Sequence, residues 1–176
     1  SGSPIVSPMQ DIVLGVYYLT SDHGVEFVHP EVRTVHHTDG EDYPAYHNPY
    51  EAMMAYELGR IGMHAKIVMR LPDDRKVVEE NRTFRPTDRK VITTVGRCMF
   101  NDILAEGLPF YNCALASGGL NRVIHDCYER LGRQPTVEML DAMKELGFHA
   151  ATEAGISFAM QDLKLPPNKD QILGET

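Results

Sequence analysis

Between Gly96 and Gly147 the chain repeats one pattern: apolar residues at helical spacing, closed by a glycine. The first stretch runs from about Gly96 to Glu106 and stops at Gly107, just before Pro109. The second sets Leu120, Val123, Ile124, Cys127 and Leu131 on one face and stops at Gly132. The third starts at Pro135, carries Met139, Ala142, Met143 and Leu146 on one face, and stops at Gly147. Apolar residues three and four apart bury one side of a helix, and a glycine after the last turn lets the chain leave it. Three such stretches in a row commit this part of the chain to helix.

The preceding part follows a different period. Met63, Ala65, Ile67, Met69 and Leu71 alternate with His64, Lys66 and Arg70, the two-residue repeat of a half-buried strand, with Val68 out of pattern. Val91, Thr93 and Val95 predict a second strand, and Ile156, Phe158 and Met160 a third. Asn48-Pro49-Tyr50-Glu51 opens a further helix: Asn48 caps, Pro49 suits the first helical position, and Glu51 stands where a capping-box acid stands. Met54, Ala55, Leu58 and Ile61 would form its buried face, and Gly62 its end. The apolar run Asp11–Thr20 is too short for periodicity to decide between helix and strand. Residues 21–48 hold turn formers around short β-prone pieces, a loop-rich arm with one hairpin. Residues 71–90 read as a charged loop. Residues 168–176 look like the start of a helix that the chain end cuts off. The class is α+β, mixed helices with a small antiparallel sheet.

Charge is unevenly spread. The 176 residues carry 17 Lys and Arg against 25 Asp and Glu, a net of −8. Residues 21–51 hold a net of −6 and five of the eight histidines, residues 60–97 a net of +5, and residues 98–176 a net of −5. The overall acidity argues against a free-standing nucleic-acid binder. The three cysteines, Cys98, Cys113 and Cys127, are odd in number and lack CxxC spacing, which points away from a disulfide framework or a zinc knuckle. No run reaches the roughly 18 apolar residues of a membrane span. No basic stretch followed by an apolar one marks a leader. A cytoplasmic setting without membrane contact is expected.

The chemical constellations are thin. His36-His37 sits among Asp39, Glu41 and Asp42, and imidazole with carboxylate is a common ligand set. Adjacent residues point apart on a strand, however, so a solvated loop is the favoured reading over a metal site. His125-Asp126-Cys127 has the residue types of a nucleophile pair, but neighbours two apart on a helix do not face each other. Cys127 falls on the apolar stripe and reads as a buried structural thiol. Gly118-Gly119 matches no phosphate-binding motif and reads as a flexible linker. Arg75, Lys76, Arg82, Arg85, Arg89 and Lys90 alternate with acids, which favours a mixed-sign solvated face over a phosphate path.

Four blocks in order resemble the β′ subunit of bacterial DNA-directed RNA polymerase, in the pore domain downstream of its catalytic aspartate loop. They are Pro4 to Thr20; Thr93-Thr94-Val95-Gly96-Arg97 with Gly107-Leu108-Pro109-Phe110; Cys127-Tyr128, Leu131-Gly132 and Pro135-Thr136; and Gly147-Phe148, Gly155-Ile156-Ser157 and Asp162. The match is poorest in 21–48 and 71–90.

The resemblance implies a fragment of a larger multidomain subunit, residues 1–176, that forms the wall of the secondary channel. Nucleoside triphosphates enter there, and backtracked RNA leaves there. The parent enzyme uses Mg²⁺ held by an aspartate loop that this sequence lacks, so catalytic residues are expected upstream and the isolated piece is expected to be inactive. Implied partners are the α, β and ω subunits, sigma factor, DNA template, RNA, nucleoside triphosphates, and cleavage factors at the channel rim. Gln10 and Asp11 match positions near the inner end of the channel; an equally simple reading has them capping the following segment. Arg97 either faces the channel or pairs with an acid such as Asp102. Asp141 matches an aspartate of a guanosine-tetraphosphate site in some relatives. The matching lysine and tyrosine are here Gln134 and Glu145, so that site is expected to be degenerate. The +5 stretch is expected to face the anionic path and the acidic arm to sit away from it. Two other readings stand beside this one: a metal-dependent hydrolase using the His-rich arm, and an interaction module for regulatory factors.

Overall fold

A computed structural model describes residues 10–22 and 26–163. The helical start expected at 168–176 and the first residues of the Pro4 block lie outside the described residues. The apolar run that periodicity left open is a helix, α1 (Gln10–Thr20), burying Ile12, Gly15, Val16 and Leu19. Those positions are three and four apart, the spacing of one helical face.

α1 lies along a long C-terminal helix, α5 (Arg133–Leu163, 31 residues). This overturns two expectations. The helix does not stop at Gly147, and Ile156 to Met160 is not a strand. The buried stripe Met139, Met143, Ala150 and Ala154 continues through Gly147 at helical spacing. Gly147 serves close approach, because a Cβ there would sit 3.0 Å from the Ile12 Cα. Ile156 and Met160, four apart, lie on the exposed side at 60% and 49% exposure, so their alternation followed no sheet.

The strands form three small sheets. β1 (Thr34–His36) and β2 (Asp42–Pro44) make the hairpin expected in the arm. β3 (Lys66–Arg70) pairs antiparallel with β6 (Lys90–Thr94), Ile67 opposite Thr93. β4 (Val77–Val78) pairs antiparallel with β5 (Thr83–Phe84) and parallel with β7 (Phe110–Tyr111). The segment 71–90 is therefore not all loop. Val77 and Val78 are both buried, a short two-sided strand that alternation cannot reveal among flanking charges. Asp88 and Arg89 turn the chain at φ 56° and 58° before β6.

α2 (Pro49–Glu57) starts as expected: Asn48 Oδ1 accepts the Glu51 N–H at 2.9 Å. It ends at Glu57 rather than Gly62, and Gly59 takes the left-handed φ of +72°. Its buried face is Ala52 and Ala55; Met54 and Leu58 are 59% and 65% exposed. Small residues let α2 sit close to its neighbours β3 and α3. α3 (Val95–Asp102) follows β6 without a loop, capped by Thr94. α4 (Ser117–Leu131) buries Leu120, Val123, Ile124 and Cys127 and is followed by Gly132 at φ 87°. Gly118 and Gly119 belong to its first turn and are not a linker.

Two apolar clusters result. One gathers Val16, Leu19, Phe100, Tyr111, Leu120, Val123 and Met143 between α1, α4 and α5. The other gathers Ile67, Met69, Leu71, Val77, Val91 and Phe110 beneath α2. α3 spans both, with Phe100 in the first and Val95 and Cys98 in the second.

Candidate functional site: a cleft built on Arg97

Because α3 leaves β6 directly, Arg97 lies in its first turn, against the C-terminal end of α1. Gly96 makes this approach possible, since a Cβ there would run into the Leu19 carbonyl. The Arg97 Nε donates to the Thr20 carbonyl at 2.8 Å, and Nη1 donates to Asn112 Oδ1 at 3.4 Å. Nη2 lies 3.3 Å from Asp22, with the two side chains 8% and 32% exposed. The expected partner Asp102 is not the acid it meets. Five residues along a helix turn about 140° round the axis, which takes Asp102 off the Arg97 face.

Around Arg97 the side chains of Asn112, Thr20 and Asn101 find partners, while the buried Thr93 hydroxyl beside them has none. The Asn112 amide donates to the Ile92 carbonyl at 2.9 Å and to Glu79 at 3.2 Å. The Thr20 hydroxyl donates to the Val16 carbonyl at 2.8 Å and accepts the Leu115 N–H at 2.9 Å. Asn101 donates to the carbonyls of Arg97 and Tyr111 and accepts the Tyr111 N–H at 2.8 Å. Buried polar groups that are satisfied in this way fix one arrangement of the elements that carry them. Here they lock α1, α3, β6 and β7 together. None of Thr20, Asn101 and Asn112 was singled out from the sequence; lone polar residues next to apolar runs carry no spacing signal.

Above this floor opens a cleft of about 560 Å³. Its walls come from the arm (Asp39, Tyr43), β3 (Lys66), the β4–β5 turn (Glu79, Glu80, Arg82) and β6 (Ile92, Thr93). Residues of the acidic arm and of the basic stretch thus share one cleft. The bases are held by acids nearby: Arg82 meets Glu79 at 2.9 Å, Arg85 meets Asp74 at 3.2 Å, and Arg75 grips Asp73 through two nitrogens. The hydrogen bond from Arg75 holds the Asp73 carboxyl below its ordinary range. This is the mixed-sign face that alternating charges imply, not an open run of cations. Burial pushes the Cys113 thiol at the cleft wall upward.

Gln10 and Asp11 are exposed in the first turn of α1. They stand at the opposite end of that helix from the Arg97 contacts, so the three residues do not form one site. Asp141, Gln134 and Glu145 are all exposed on α5. His36 pairs with Asp42 at 2.8 Å on the hairpin, with both side chains well exposed. His125 is 3.9 Å from Glu129 on the outer face of α4, whereas Cys127 is fully buried. Among the described residues no three His, Cys, Asp or Glu side chains come together to hold a metal. These residues therefore do not fit the Mg²⁺ that the resemblance implies for the whole enzyme.

The chain belongs to the RNA polymerase Rpb1, domain 3 family, whose model matches residues 1–163. It is 38% identical to the DNA-directed RNA polymerase subunit beta′ of Rhodopirellula baltica, over 99% of this chain and 11% of that protein. With the same subunit of Methylacidiphilum infernorum it shares 38% identity over 99% of this chain and 12% of that protein. With that of Thermotoga neapolitana it shares 34% identity over 99% and 9%. The chain thus spans about a tenth of the length of these relatives. Among the described residues no helix is long and apolar enough to cross a membrane.

Proposed function

We propose that this chain is a portion of the β′ subunit of a bacterial, cytoplasmic DNA-directed RNA polymerase and forms part of the wall of its secondary channel. The end-to-end match to proteins named as that subunit carries the reading. In this reading the Arg97 network is a brace. It fixes α1, and with it Gln10 and Asp11, relative to the β3–β6 sheet, so that the channel wall keeps its shape while nucleoside triphosphates and RNA pass. The working partners are the α, β and ω subunits, sigma factor, template DNA and RNA, with cleavage factors docking at the channel rim. Phosphoryl transfer rests on metal ions that neutralise developing charge on the phosphate oxygens. The ligands for Mg²⁺ belong to other parts of the enzyme, so the isolated chain has no polymerase activity.

The test is a β′ subunit whose matching segment is replaced by this chain. It should assemble with α and β and make RNA on a DNA template, while the isolated chain makes none. RNA synthesis by the isolated chain, or failure of the exchanged subunit to assemble, contradicts the proposal.

A further inference from the structure

A separate pocket of about 390 Å³ shares no lining residue with the Arg97 cleft. Four pieces of chain meet there. The link from β3 to β4 brings Asp73, Asp74, Arg75 and Lys76, and Arg85 follows β5. The loop 107–109 forms a further wall, and Arg130 enters from the last turn of α4. Main-chain bonds hold these pieces in place. The Lys76 carbonyl accepts the Phe110 N–H at 2.9 Å, and the Arg89 carbonyl accepts the Leu71 N–H at 2.8 Å. Arg130 Nη1 lies 3.5 Å from the Gly107 carbonyl oxygen.

The charge in this pocket does not cancel. Arg75 grips Asp73 through two nitrogens, and Arg85 lies 3.2 Å from Asp74. These two pairs use up both carboxylates of the lining. Among the described residues no carboxylate pairs with Lys76 or Arg130, and both side chains are exposed. A concavity that keeps like charges uncompensated concentrates anions of opposite sign. The Arg85–Asp74 pair is 55% and 70% exposed. Surface pairs of this kind are weak, so the Arg85 guanidinium can also turn to a bound anion.

Two uncommitted cations set the charge of the anion that fits. A phosphodiester carries a single charge and leaves one cation unmatched. A terminal phosphate or a diphosphate carries about two charges or more. We propose that this pocket binds such a doubly charged phosphate group of a small molecule between Lys76 and Arg130. Arg130 offers a planar fork to two phosphate oxygens, and Lys76 a point charge.

Inorganic diphosphate titrated into the 176-residue chain, read by amide chemical shifts, tests the site. The amides of Lys76, Gly107, Leu108 and Arg130 should move together and saturate, with a dissociation constant on the order of 1 mM at low salt. Lys76→Ala should weaken binding about tenfold, and Lys76→Arg should restore most of it. Arg122→Ala removes the same charge from α4 outside the pocket, where Arg122 lies 3.9 Å from Asp126. It should change the affinity less than about twofold, because exposed charges at a distance are screened. A dinucleoside monophosphate, with one phosphodiester and no terminal phosphate, should bind at least about tenfold more weakly than diphosphate. No saturable shift at these amides up to about 20 mM diphosphate overturns the site. So do equal losses from Lys76→Ala and Arg122→Ala, or a dinucleoside monophosphate that binds as tightly as diphosphate. The binding is read on the chain alone, so its failure would not touch the channel-wall role.

Discussion

Gly15 and Gly147 meet where α1 lies on α5, and neither position has room for a side chain. A Cβ on Gly15 would run into the Gly147 carbonyl, and one on Gly147 would press on Ile12. Backbone rather than side chain fills this contact, so the two helices approach more closely than larger residues allow.

Gly15→Ala should therefore force α1 away from α5 and cost about 3 kcal/mol, the upper range for overpacking a rigid contact. Gly118→Ala is the control. That glycine is helical with nothing within 4 Å of an added Cβ, so the change should stabilise by about 0.5–1 kcal/mol. Denaturant midpoints of the two variants check both signs; a harmless Gly15→Ala refutes the close contact.

Arg97→Ala should destabilise by about 3–5 kcal/mol, because it leaves Asp22, the Thr20 carbonyl and Asn112 without their donor. Arg97→Lys should recover only a minor part, since an ammonium cannot reach three partners from one planar fork. Equilibrium unfolding distinguishes this from a solvent-facing arginine, whose loss would cost under about 1 kcal/mol.

The alkaline limit of stability should be set by tyrosines. The hydrogen bond to Asp39 pushes the Tyr43 phenol up to about 12. Burial, together with bonds to Glu153 and Asp126, pushes Tyr56 and Tyr111 higher still. A phenol raised in the folded state adds stability that is complete below its unfolded value near 10 and is lost as pH climbs through the folded value. Ultraviolet titration of tyrosinate should show these three ionising late, with unfolding. All eight tyrosines ionising together near pH 10 would contradict this.

Thiol labelling should single out Cys113. Cys98 and Cys127 are buried, and burial pushes the Cys98 thiol up to about 12. Cys113 is half-buried on the cleft wall, and its thiol is also raised, so it should label slowly. Mass spectrometry after alkylation should find one modified site in the native chain and three after denaturation. Native labelling at Cys127 would break the account of α4.

What the sequence disclosed followed the strength of each local signal. The cap at Asn48, the face of α4 and the β3–β6 pair were legible because cap chemistry and periodicity act within a few residues. Gly147 was misread because a glycine that ends a helix and a glycine that admits a neighbouring helix look alike until the neighbour, α1, is in place. The buried face of α2 was read only in part: Ala55 is buried as expected, but Met54 and Leu58 were more conspicuous than Ala52, which takes their place. Arg97 was recognised as a candidate, but its partner Asp22 lies 75 residues away in the chain, beyond any spacing rule.

If this body forms part of the secondary-channel wall with the start of α1 toward the RNA, photo-crosslinking in an assembled polymerase whose β′ subunit carries this segment reads that placement. A crosslinker in place of Gln10 should label the RNA 3′ end in backtracked complexes, and one in place of Glu129, on the outer face of α4, should not. Labelling from Glu129 but not from Gln10, or from neither, would contradict the account.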